Sequence, residues 1–122
     1  MVIRKERRYP RVEIQWPTTI LTNQGHVAAK LKDLGADGAY IYCKETSGPS
    51  NFFPITINPP NHSPLKITAE VIWTDDGLLP GMGVRFAEIS EVDRRFLTET
   101  ISQHYEKKVA RRFENKGAKS SD

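Results

Sequence analysis

From Val12 to Ile89 the apolar residues come in short runs separated by turn-forming clusters, and the runs are rich in β-branched and aromatic residues. Val12, Ile14 and Trp16, continued by Thr18 and Ile20, alternate with polar neighbours; Ile67, Ala69, Val71 and Trp73 do the same. A period of two is that of a half-buried strand. The pattern predicts strands over 12–22, 27–32, 38–43, 52–57, 65–74 and 82–88. Asn23-Gln24-Gly25, Ser47 to Asn51, Asn58 to His62 and Asp75-Asp76-Gly77 supply the turns. Six short strands at this spacing suit a closed antiparallel barrel, because closure removes the unpaired edges of an open sheet. Trp16 and Trp73 fall on alternating strands and read as core.

After Ser90 the period changes. Ser90-Glu91-Val92-Asp93 has a Ser N-cap with an acid three residues on, and Val92, Phe96, Leu97, Ile101, Tyr105 and Val109 recur at helical spacing. The helix should lay this stripe on the barrel and turn Arg94, Arg95, Glu99, Lys107 and Lys108 to solvent. Beyond Phe113 almost no apolar residue remains. The expected organisation is therefore a basic N-terminal arm over 1–11, a barrel with its C-terminal helix over 12–113, and a disordered tail over 114–122.

Composition sharpens this picture in two places. With 122 residues, 38% hydrophobic and 27% charged, the chain suits one soluble domain. No apolar run spans a bilayer, and Met1-Val2-Ile3 leads at once into charged residues without a secretory leader, so a cytoplasmic location and no membrane partner are expected. The single Cys43 excludes an intrachain disulfide and reads as buried, and His26, His62 and His104 lack metal-ligand spacing. The net charge of +3 hides an uneven distribution: residues 1–11 and 107–122 each carry +4, which leaves the body at −5. Two basic ends on an acidic body point to an anionic partner.

Catalytic patterns are missing: there is no Gly-x-Ser-x-Gly elbow, phosphate loop or His-Glu-x-x-His pair, and Asp75-Asp76 before a glycine reads as a solvated turn. The chain is expected to be a binding module, not an enzyme, with no cofactor and no metal. Two short motifs stand out, Arg7-x-x-x-Arg11 before the first strand and Asp33-x-Gly35-x-x-Gly38 between the second and third. A third is Gly81-Met82-Gly83-Val84-Arg85-Phe86 on the last strand. In order and spacing the chain resembles the PilZ family, whose signatures are Arg-x-x-x-Arg and Asp/Asn-x-Ser-x-x-Gly. Arg4-x-x-x-Arg8 offers a second register farther from the strand.

The resemblance implies a six-stranded PilZ-type barrel and a bacterial second-messenger receptor for cyclic di-GMP. By similarity, Arg7 and Arg11 contact phosphate and guanine, Arg8 stacks or helps with phosphate, and Asp33 reads the guanine edge. Gly35 and Gly38 would let the loop backbone approach the ligand at positive φ. The chemistry is consistent: guanidinium groups fork onto guanine O6 and N7 or onto phosphate, and a carboxylate accepts from guanine N1–H and N2–H₂. Arg85 could equally pair with an acid. Gly35 stands where the family has serine, and a lost hydroxyl contact costs about 0.5–1.5 kcal/mol. A lost charge-assisted Arg contact costs more, about 1.5–3 kcal/mol. The implied receptor closes its arm over the ligand and signals in trans to a protein effector. The competing reading is a PilZ-fold adaptor that binds a protein and ignores the nucleotide. Non-specific nucleic-acid binding through the basic ends ranks far below both, and oligomeric state is left open.

Overall fold

The computed structural model describes residues 11–44 and 51–120, with the backbone alone for 111–120. Six strands precede one helix: β1 (Pro17–Thr22), β2 (Gly25–Leu34), β3 (Gly38–Tyr42), β4 (Phe52–Ile57), β5 (Leu65–Asp75), β6 (Gly81–Glu88) and α1 (Glu91–Ser120). Every neighbouring pair is antiparallel, and the order β1-β2-β3-β6-β5-β4 closes through Thr18 to Ile20 of β1 against Ile55 to Ile57 of β4. The architecture is the closed six-stranded barrel with a C-terminal helix that the sequence led us to expect.

Alternation builds the interior. On β6, Met82, Val84 and Phe86 point inward and are buried, whereas Arg85 is exposed. Ile20, Leu31, Ile41, Ile55 and Leu65 fill the same core. Burying one such aliphatic side chain stabilises the fold by about 1.5–3 kcal/mol. Cys43 is a buried member of this core. The β1–β2 hairpin turns at Asn23-Gln24. Gly25 takes φ 100°, while the Thr22 hydroxyl accepts from Gln24 N–H at 3.1 Å and donates to Gly25 C=O at 3.0 Å.

Two element boundaries differ from the sequence pattern. The alternation runs from Val12, but β1 begins only at Pro17. Pro17 has no N–H for the ladder, and residues 12–16 leave the strand. Val12 instead makes an isolated bridge to Leu34 at the end of β2, with N–H···O bonds of 3.0 and 2.8 Å, and Val12 and Ile14 remain buried. At the other end the backbone stays helical to Ser120, past residue 113 and over most of the segment expected as a disordered tail. Glu114, Lys116, Ala118 and Lys119 favour a helix there, Asn115 and Gly117 disfavour it, and no apolar stripe runs through the segment.

The helix starts as its sequence dictates: Ser90 Oγ accepts from Asp93 N–H at 3.1 Å, and Glu91 and Asp93 place acids at the positive end of the helix dipole. Its seat is narrower than the predicted stripe. Leu97 and Ile101 are buried in the barrel core and Phe96 is half-buried, but Val92 and Tyr105 are exposed. Phe96 instead stacks with Trp16 at 6.1 Å between ring centroids and with His62 at 3.8 Å.

Candidate functional site

The Val12–Leu34 bridge sets Arg11 beside Asp33. Arg11 Nη1 donates to Asp33 Oδ1 at 3.3 Å, both side chains being about a fifth exposed. Lys32 Nζ lies 3.9 Å from the other carboxylate oxygen. The local cause is a bulge in β2: the register against β3 shifts between Leu31 and Asp33. The extra residue keeps both Leu31 and Leu34 in the core and turns Lys32 and Asp33 together to the outer face. Gly38 completes the arrangement. A Cβ there would meet Val84 C=O at 2.4 Å and Arg11 Nη2 at 3.2 Å, so only glycine lets the strand and the guanidinium pack this closely. Arg11 Nε is buried with no hydrogen-bond partner among the described residues.

Next to this pair lies a shelf of aromatic rings. Tyr40 on β3 and Trp73 on β5 both stand opposite Gly83 of β6, the strand between them. With no side chain at Gly83, the two rings meet across it, stacked at 5.1 Å and 18°. A Cβ at Gly83 would lie 2.5 Å from Trp73 Nε1, and one at Gly81 2.6 Å from the Tyr40 hydroxyl. The Gly81-x-Gly83 pair is thus the floor under the aromatics. A bulge between Val71 and Trp73 aims Trp73 outward. Tyr42 meets Tyr40 edge-on at 5.5 Å, and Lys32 Nζ sits 5.9 Å from the Tyr40 ring. Burial raises the Tyr40 phenol above its ordinary pKa, with further contributions from Asp75, Tyr42 and Asp33, so Tyr40 stays a neutral donor.

These groups line one open cleft of about 460 Å³, walled by Arg11, Lys32, Asp33, Tyr40, Trp73 and Asp75 and by Leu78 and Leu79 of the β5–β6 turn. An apolar groove lined by Val27, Ala29, Tyr42 and Cys43 adjoins it across the same two leucines. A cation pair, a carboxylate and stacked rings on one face can hold an anionic, ring-bearing ligand.

Of the residues singled out from sequence, the structure brings Arg11, Asp33 and Gly38 together. Arg7 and Arg8 lie outside the described residues. Gly35 is buried in the β2–β3 turn and donates its N–H to Gly38 C=O at 2.8 Å. Neither Gly35 nor Gly38 has positive φ, contrary to expectation; among the described glycines only Gly25 does. The work of Gly38 is close packing, not a left-handed turn. Arg85 is held by Glu70, donating through Nε at 2.9 Å and through Nη2. Trp73 is corrected from core to surface, 53% exposed at the cleft. Sequence reasoning missed Tyr40, Tyr42 and Lys32 as cleft residues. The one available signal was their placement flanking the Asp33 motif. Among the described residues no cluster could hold a metal ion, and no helix is long and apolar enough to cross a membrane.

Comparison with known proteins bears on what this face belongs to. A search of curated proteins found no match. Among solved structures, the Bacillus subtilis inhibitor of motility MotI/DgrA superposes with TM-score 0.75 at 14% identity over 85% of this chain, which spans 53% of that protein. The PilZ domain of YcgR from Escherichia coli, solved with c-di-GMP, gives TM-score 0.67 at 19% identity over 92% of this chain and 99% of that one. The Borreliella burgdorferi PlzA protein in complex with c-di-GMP gives 0.58 at 13% identity, covering 79% of this chain and 41% of that one. At these identities the likeness is one of fold. The sequence itself matches the PilZ domain family model over residues 5–103, a stretch that contains the Arg11–Asp33 pair, the Gly38 packing and the aromatic shelf, and the chain belongs to the PilZ domain family.

Proposed function

We propose that this protein is a receptor for cyclic di-GMP that binds the dinucleotide on the outer barrel face and passes the signal to a protein partner in trans. The observation that carries the reading is Arg11, held beside Asp33 by the Val12–Leu34 bridge with both residues lining the open cleft. Arg11 takes a phosphate or the guanine O6/N7 edge, and Asp33 accepts from guanine N1–H and N2–H₂. Gly38 keeps the space that the guanidinium needs, and Gly35 shapes the turn beside it. Arg7 and Arg8, just upstream in the chain, supply the remaining cationic contacts. The partner reads the change at the cleft rim, where the Leu78 and Leu79 side chains are exposed. The module binds and does not catalyse, and it acts in the cytoplasm.

Calorimetric titration of the purified protein with cyclic di-GMP tests this reading. Saturable heat with a midpoint below about 100 μM is expected; no heat at that concentration overturns it. A second reading, the nucleotide-blind adaptor, is favoured by one specific feature, Gly35 in the serine place. Gly35→Ser separates the two. The receptor gains at most about tenfold in affinity from one neutral hydrogen bond, whereas an adaptor would show binding only in the variant.

A further inference from the structure

Trp73 is the largest exposed aromatic in the cleft, and its position is built, not incidental. Three features converge on it: a β-bulge that turns it outward, Gly83 beneath it, and Tyr40 stacked against it at 5.1 Å. Tyr40 is 9% exposed while Trp73 is 53% exposed, so Trp73 is the accessible layer of the stack. The groups that share its cleft carry both signs of charge: Arg11 and Lys32 as cations, Asp33 and Asp75 as anions. An indole that merely covered Gly83 would need no charged surroundings. A ring that offers its π surface next to a carboxylate and two cations matches a purine nucleotide, which presents a stacking face, a donor edge and a phosphate.

We infer that Trp73, backed by Tyr40 over the Gly81-x-Gly83 floor, is the stacking platform for one purine ring of the bound nucleotide. The inference rests on the receptor reading above and adds a ligand-contacting residue on β5, a strand remote in sequence from both Arg11 and Asp33. One guanine lies against the indole with its N1–H and N2–H₂ edge turned to Asp33, while Arg11 and Lys32 meet the adjoining phosphate. The role of the Gly81-x-Gly83 pair is then to leave room for the platform, not to touch the ligand.

The chain has two tryptophans, so Trp16→Phe leaves Trp73 as the sole indole. Titrating this variant with cyclic di-GMP, and following emission and heat together, should show the Trp73 emission quenched with the same midpoint as the heat. Trp73→Ala should weaken calorimetric binding about tenfold and Trp73→Phe, which keeps a ring, by no more than about threefold. Should Trp73→Ala fail to fold, by far-ultraviolet circular dichroism, the emission of the Trp16→Phe protein still decides the matter. Heat of binding with unchanged Trp73 emission overturns the platform and leaves the receptor standing. Absence of heat from the wild-type protein overturns both.

Discussion

The two tryptophans occupy the same kind of position in the sequence and opposite positions in the molecule. Trp16 and Trp73 each sit in an alternating β pattern, and each ends up stacked on another aromatic ring. Around Trp16 the ring partner is Phe96 of α1, itself against His62, and the cluster closes the helix onto the barrel. Around Trp73 the partner is Tyr40, the floor is glycine, and the neighbours are charged. The lesson is that an aromatic stack on a β surface becomes structure or site according to what lies over it. A helix covers the first, and the second stands open at a cleft.

The two regions should respond to substitution in opposite ways. The largest effect is expected at the helix seat. Leu97→Ala removes a fully buried side chain and should lower unfolding stability by about 2–5 kcal/mol in urea titration, with nucleotide affinity per folded molecule unchanged. Next comes Arg11→Ala at the cleft. It should cost about 1.5–3 kcal/mol of binding, roughly ten- to 150-fold, while stability moves by less than about 1 kcal/mol because the pair with Asp33 is partly exposed. A large stability loss in Arg11→Ala would show that the pair is a strut and not a site.

The smallest effect is at high pH. Folding raises the Tyr40 pKa above the phenol's ordinary 10.0, chiefly through burial and then through Asp75, Tyr42 and Asp33. The folded state therefore keeps a proton that the unfolded chain has already released above that value. Its contribution to stability is fully present below pH 10 and is lost as pH rises through the folded value. Absorbance titration of tyrosinate should show one residue ionising late, and Tyr40→Phe should remove that component; an unchanged curve would contradict the burial described for this ring.

Sequence pattern revealed the strands wherever local chemistry was decisive. The strands predicted over 52–57 and 82–88 correspond to Phe52–Ile57 and Gly81–Glu88, and the Ser90 cap begins the helix as read. Asp33 and Gly38 were picked out by spacing and do meet Arg11. What escaped the pattern depends on contacts distant in sequence. A bulge is set by how two strands register, so neither the outward turn of Lys32 with Asp33 nor that of Trp73 is visible along the chain. The same applies to Gly83, which reads as a flexible residue until Tyr40 and Trp73 are seen on the strands either side. Pro17 could have signalled the true start of β1, since its missing N–H is a local property. The far end of α1 carries no apolar stripe, so nothing in the sequence pattern marks where it stops.

The central claim is that a nucleotide settles on the Arg11–Asp33–Trp73 face and not at the helix seat. Nitrogen-15 NMR of the wild-type protein, titrated with cyclic di-GMP, tests it in one experiment through the two indole N–H signals and the backbone amides. The account predicts that the Trp73 indole and the amides of Arg11, Asp33 and Gly38 shift together to saturation while the Trp16 indole stays in place. Shifts centred on Trp16 and α1, or none at all, would contradict it.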